Sequence, residues 1–426
     1  MKKDLQNVYL FISDKKKTHK QPEVIMQSKG TSLFAQMLQY FDRGEFGKVV
    51  RKYNGDKATK GFTTWDQCVS MLFCHLAKAQ SLREICGGLK SCLGKLSHIG
   101  VKTPPTRSNL SYANSHRSWE IYQGIFFQLL QKVQSGWKGK RKFLFKNKLY
   151  SIDASVIELC LSIFDWAKFR TTKGAIKLHM VLDHDGYLPC FAHITEGIVH
   201  EVKALKNGIL GTFSFAKGSV VVFDRGYNDY KLFAHWITQE VFFITRMKSN
   251  AQYRVVTRNK VPKGSTIVCD QLIRLTGAGA KSDCPYLLRR IKVYDPEQDR
   301  VIVLLTNHLK FAASTISRIY QDRWEIEIFF KTIKQHLKIK TFIGTSVNAV
   351  KIQLWTALIA ILLLKYMKML STYAHWSLSN LIALLRFNLF TYRDLNQWLN
   401  DPYDAPTSMS EDIQLSLPGL GQQQGG

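Results

Sequence analysis

Residues 320–334 read YQDRWEIEIFFKTIK, mixing Arg323, Glu325, Glu327, Lys331 and Lys334 with Trp324, Ile326, Ile328, Phe329 and Phe330. At about 100° per residue, the spacing predicts a helix on which Tyr320, Arg323, Glu327 and Lys334 share roughly a 60° arc. Lys331 and Lys338 fall on or close to that arc. One carboxylate thus sits in a basic stripe with one phenol, backed by apolar residues. On its own the segment reads as an amphipathic helix with i,i+4 Glu–Lys pairs. Its meaning depends on what the rest of the chain brings to Glu327.

The rest of the chain is basic. The 426 residues carry a formal charge of +28, and residues 1–150 hold 27 Lys and Arg against 9 Asp and Glu. Such an excess favours a polyanion, with nucleic acid first. A membrane surface is the rival, but the longest uncharged apolar run, Ile352 to Leu364, suits a core helix better than a bilayer span. No apolar leader follows the N-terminal lysines. The eight cysteines form no CxxC pair, which points to reduced thiols in a cytoplasmic protein and away from a structural zinc site.

Along the chain, residues 1–30 read as a basic arm. Apolar spacing is helical from Ser32 to about Gln134, with Thr64, Ser81 (in SLRE) and Thr106 as helix caps and Gly87-Gly88 as a helix end. Three short helices ending in TRSNLSYANSHRSW resemble a helix-turn-helix, which makes Arg107 and Asn109 candidate DNA contacts. The texture changes near Lys148. LYSIDAS, IKLHMVLD and GYLPCFAHIT read as strands, the last two joined by a DG turn. A helix in VHEVKALKNGI, the strand GSVVVFDRGY, a helix near 228–239 and the strand VFFITRMK complete a mixed sheet with helices on its faces. Residues 249–307 read as a β-rich insertion, followed by the helix that begins near Ala313 and holds Glu327. Helix returns over 346–399, and a Gly/Gln-rich tail closes the chain with the composition of disorder. The expected domains are 1–145 (helical, DNA-binding), 146–248 with 308–345 (core), 249–307 (insertion) and 346–426 (helical).

Asp153 and Asp224 each end a Val/Ile/Phe-rich strand, where a carboxylate is costly unless exposed or paired. With Glu327 they make three acids on separate elements. Converging carboxylates repel, and stay ionised together around a cation. Oxygen ligands without His or Cys select Mg²⁺ or Mn²⁺, and a pair of such ions suits phosphodiester chemistry. Arg225, Arg246 and Lys248 flank these strand ends as further candidate DNA contacts.

Tyr320-x2-Arg323-x3-Glu327-x6-Lys334 resembles the YREK signature of insertion-sequence transposases of the fourth insertion-sequence family. The SIDAS and FDRGY strands resemble that family's two aspartate regions. The resemblance covers residues from about 148 to 340. It implies a ribonuclease-H-like fold, a metal-binding DDE triad of Asp153, Asp224 and Glu327, and Tyr320, Arg323, Lys331 and Lys334 on DNA phosphates. It also implies cut-and-paste transposition of double-stranded DNA ends (terminal inverted repeats) into target DNA, by a homodimer in the bacterial nucleoid. Relatives stack a flipped base on a tryptophan in the insertion; residues 249–307 offer Tyr253, Tyr286 and Tyr294 instead. The alternatives are a non-catalytic repressor derived from such an enzyme, or a metal-dependent nuclease of the same fold.

Overall fold

The computed structural model describes residues 30–403 except 93, 138, 140, 161, 165, 171–172, 338–341 and 374. The N-terminal arm, Lys338 and the Gly/Gln-rich tail lie outside the described residues.

Among the described residues, six helices lead into the sheet: α1 (Leu33–Leu38), α2 (Arg43–Lys52), α3 (Thr64–Ala77), α4 (Leu82–Ser91), α5 (Arg107–His116) and α6 (Glu120–Gly136). Thr63, rather than Thr64, caps α3. Its hydroxyl accepts the Asp66 N–H while the Asp66 carboxylate accepts its own, a reciprocal capping box. Thr64 is drawn instead to Asp56, 2.8 Å away. Ser81 and Thr106 cap α4 and α5 as their sequence predicts. Gly87 and Gly88 do not end α4, which runs through them to Ser91. A Cβ on Gly88 would stand 2.8 Å from the Phe73 ring, so this glycine serves close helix packing.

Among the described residues, ten strands form one sheet: β1 (Leu149–Leu159), β2 (Lys168–Arg170), β3 (Lys173–Asp183), β4 (Leu188–Glu196), β5 (Val220–Phe223), β6 (Phe242–Arg246), β7 (Tyr253–Arg258), β8 (Ile267–Leu275), β9 (Leu288–Asp295) and β10 (Arg300–Thr306). β1 lies between β3 and β5, antiparallel to β3 and parallel to β5, and β5 is parallel to β6. β4 runs antiparallel to β3. The β-rich runs after residue 249 continue this same sheet, because β10 pairs with β6 and β9, β8 and β7 follow outward. β5 and β6 are short Val/Ile/Phe runs, the pattern of strands covered on both faces.

The later helices are α7 (Glu201–Ala204), which widens into a π turn through Ile209, α8 (Tyr230–Thr238), α9 (Ala278–Asp283), α10 (Ala313–Asp322), α11 (Trp324–His336), α12 (Val347–Leu370), α13 (Leu378–Asn388) and α14 (Leu395–Asn400). The helix expected to run unbroken past Glu327 is divided at Arg323. There the bonding tightens, the Ile326 N–H donating to the Arg323 carbonyl three residues back. The apolar backing of the stripe is also incomplete, since Trp324 is 58% exposed and Ile328 44%.

The N-terminal and C-terminal helices share one core around α12. Trp355 of α12 meets Trp119 and Phe126, and the His75 ring of α3 lies 3.0 Å from the Thr356 hydroxyl. By length and a mean hydropathy of 1.9, α12 could cross a membrane, yet 83% of that window is buried inside the protein. It is the core helix that the Ile352–Leu364 run suggests. Burial pushes the His75 imidazole down to about 3. Above its ordinary 6.5 the ring is neutral in folded and unfolded chains alike. Below that, only the unfolded chain takes the proton, so stability drops by about 1.4 kcal/mol per pH unit from this one group. Thermal midpoints between pH 7 and 4.5 should therefore fall more steeply in the wild type than in His75→Leu.

Candidate active site

The sheet order places the two aspartates side by side. Residues 149–152 of β1 run in parallel register with residues 220–223 of β5, so Asp153 stands beside Asp224, which follows the carboxyl end of β5. Such carboxyl ends are where open α/β sheets present their sites. β1 itself continues past Asp153 to Leu159, so this aspartate lies within its strand and does not end it as the sequence suggests. α11 packs along β1 and brings Glu327 to Asp153.

A guanidinium holds the acids together. Arg323 Nη2 donates to Glu327 Oε1 at 2.8 Å, and Nη1 lies 3.6 Å from Asp153 Oδ2. The Tyr320 hydroxyl donates to Asp224 Oδ1 at 3.3 Å, and both Arg323 and Arg246 lie over the Tyr320 ring at 5.5 Å. Tyr320 and Arg323 are thus buried against the acids. Burial raises the Asp153 carboxyl to about 6. The Ala154 N–H and Arg323 pull it back, while Glu327 and Asp224 push it further up. Asp153 therefore feels both other acids.

An open cleft of ≈ 410 Å³ lies beside them, lined by Asp153, Ser155, Glu327, Lys331, Lys334 and neighbours. Lys331 is exposed, and Lys334 spans the cleft to donate to the Val156 carbonyl of β1 at 2.7 Å. Arg225 is exposed directly after Asp224. Lys248 connects to the same region through Asn228, whose carbonyl accepts its ammonium and whose amide donates to the Arg246 carbonyl. Arg107 and Asn109 do not join this cluster. They are exposed on α5, where Arg107 lines a separate open groove with Arg83, Ser81 and Ser111.

Three groups at the site escaped sequence reasoning. Ser155 follows Asp153 by two residues and lines the cleft. The Tyr227 hydroxyl is buried with no hydrogen-bond partner among the described residues, close enough to Asp153, Glu201 and Asp224 for their charge to raise it after burial itself. Ser155 and Tyr227 both stand inside the SIDAS and FDRGY runs, which was the available signal. Glu201 reaches the site from α7 and binds Lys177 at 3.0 Å, with no local pattern to mark it.

No group of three His, Cys, Asp or Glu is close enough to hold a metal ion among the described residues. The reason lies in the geometry above: the Arg323 guanidinium occupies the space between Asp153 and Glu327. The donor set nevertheless fits a hard divalent cation, being all carboxylate and already gathered around a positive charge.

Fold and site together define a mixed-sheet domain that gathers three acids beside a basic cleft. Residues 145–363 match the transposase DDE domain family, and the chain belongs to it. Residues 29–102 match a second family, described as a domain of unknown function (DUF4372). The chain is 33% identical over 265 residues to y4zB of Sinorhizobium fredii, named as a transposase, covering 61% of this chain and 71% of that protein. It is 28% identical over 257 residues to a Geobacillus stearothermophilus protein named as a transposase for insertion sequence element IS5377, covering 59% of this chain and 66% of that one. Among solved structures, a piggyBac transposase synaptic complex with hairpin DNA aligns at a TM-score of 0.42 and 11% identity, over 91% of this chain and 85% of that one. The chain is an insertion-sequence DNA transposase, a DNA-cleaving enzyme of the DDE class, whose family implies use of a divalent metal.

Proposed function

We propose that Asp153, Asp224 and Glu327 are the catalytic triad, and that the enzyme cuts the terminal inverted repeats of its own element and joins them to target DNA. The convergence of the three acids on Arg323 and Tyr320 carries this reading. Tyr320, Arg323, Glu327 and Lys334 support membership of the fourth insertion-sequence family through its YREK signature. The sheet, with β4, β3 and β1 antiparallel in succession and β5 and β6 parallel to β1, supports a ribonuclease-H-like core over 146–248 and 308–345 with the insertion at 249–307.

In this reading the three carboxylates would hold two Mg²⁺ or Mn²⁺ ions, which would supply an activated nucleophile and charge relief at the leaving oxygen. The chain's own work is positioning. Lys331 and Lys334 meet phosphates along the cleft, with Arg225, Arg246 and Lys248 at the strand ends. About 10 Å of helix axis separates Glu327 from Lys334, enough to follow a strand past one nucleotide. Arg323 exchanges its carboxylate partners for a phosphate as DNA enters. Pairing of two ends by a dimer belongs to the same proposal.

Incubating the protein with terminal-repeat duplex, plasmid target and Mg²⁺ separates the readings. A transposase joins end to plasmid, a nuclease cuts without joining, and a repressor binds without cutting. Recognition we assign to the N-terminal helices. Because they share a core with α12, the test uses the full chain: Arg107→Ala should weaken binding to all sequences and reduce the slope of log affinity against log salt by about 1.

A further inference from the structure

Behind the site lies a buried chain of polar contacts that the proposed chemistry does not use. Ser151 Oγ is 2.6 Å from His184 Nε2, and His184 Nδ1 is 2.6 Å from Asp322 Oδ2. Lys142 pairs with the other oxygen of Asp322, and the Tyr187 hydroxyl donates to both oxygens at 3.3 Å. Ser151 is fully buried, and the His184 and Asp322 side chains are 5% and 1% exposed. Burial alone would raise the Asp322 carboxyl, but the bonds from His184 and Lys142 hold it below the usual range. It is therefore an ionised acceptor, so Nδ1 donates to it while Nε2 makes the hydrogen bond with the Ser151 hydroxyl. With no route for a substrate to Ser151, this is not a second catalytic centre.

Its two ends show what it does. Ser151 precedes Asp153 by two residues on β1, and Asp322 immediately precedes Arg323, at the break between α10 and α11. A single imidazole thus ties the strand carrying one acid to the helix junction carrying the guanidinium and, one turn on, Glu327. We propose that Ser151, His184 and Asp322 are positioning residues that set the separation of Asp153 from Glu327. The proposal rests on the assignment of those two acids to catalysis.

The test uses the full chain. Ser151→Ala removes one hydroxyl and leaves the His184–Asp322 pair, and His184→Asn keeps a donor for Asp322 but loses Ser151. Each should fold with a thermal midpoint close to wild type and bind terminal-repeat DNA normally. Each should also cut that DNA about 10- to 100-fold more slowly at saturating DNA, the range for groups that orient first-contact ligands. In an Asp322→Asn background, Ser151→Ala should add almost nothing, because the chain acts as one unit. A purely structural role would give additive losses in stability and no split between binding and cleavage rate. Ser151→Ala cutting at the wild-type rate, while Glu327→Gln is inert, overturns the positioning role and leaves the triad standing. Active Glu327→Gln would overturn the triad itself.

Discussion

Glu327→Gln is expected to lose DNA cleavage by a factor on the order of ten thousand, as for other groups that work as one catalytic unit. The substitution keeps shape and hydrogen bonding but removes the charge. Two consequences follow from the geometry. Arg323 loses its shorter ion-pair partner, at 2.8 Å, and relaxes toward Asp153, 3.6 Å away. Asp153, already raised to about 6 by burial and its acidic neighbours, loses one of those neighbours and ionises more readily. Neither change restores a third anionic ligand, so chemistry stops although the fold is undisturbed. Binding of terminal-repeat DNA should be kept or slightly tightened, since one negative charge has left the cleft. Gel-shift and cleavage assays on the same preparation check both halves of this expectation.

Arg323→Ala should have the second largest effect, and in opposite senses for two measurements. Cleavage should fall about a hundredfold, the cost of a misplacement of about 1 Å at the scissile bond. Mn²⁺ affinity of the DNA-free protein should rise, because the guanidinium that competes for Asp153 and Glu327 is gone. The sign matters more than the size. From sequence alone Arg323 reads as a phosphate clamp, whose loss leaves metal binding unchanged. Its position between two acids makes it their counter-ion first. Mn²⁺-dependent water relaxation, with and without terminal-repeat DNA, distinguishes these roles. Unchanged affinity without DNA would remove the competition.

The positions of the acids were legible in part because each sits in a run with its own period: Asp153 within a strand, Asp224 at the end of one and Glu327 on a helical face, while the extension of β1 past Asp153 was not. The strands after residue 249 were legible as strands, but their continuation of the main sheet was not. The pairing of β10 with β6 joins residues about sixty positions apart, and alternation within a strand names no partner. The break at Arg323 was hidden as well. No Pro or Gly marks it, and its partners are tertiary: Asp322 is drawn to Lys142, His184 and Tyr187, and Arg323 to Asp153 as well as Glu327. His184 failed to stand out for the same reason: its partners lie 33 residues before it and 138 after. Capping was read one residue late at α3 because Thr63 and Thr64 are both hydroxylic, and only the position of Asp66 decides between them.

The account stands on Asp153, Asp224 and Glu327 holding one metal centre when DNA is bound. Mn²⁺ occupancy of the protein in complex with a terminal-repeat duplex, wild type against Asp224→Asn, measures this directly. The wild-type complex should bind Mn²⁺ and the variant complex should lose most of that binding while still holding the DNA. Equal Mn²⁺ occupancy in the two complexes would contradict it.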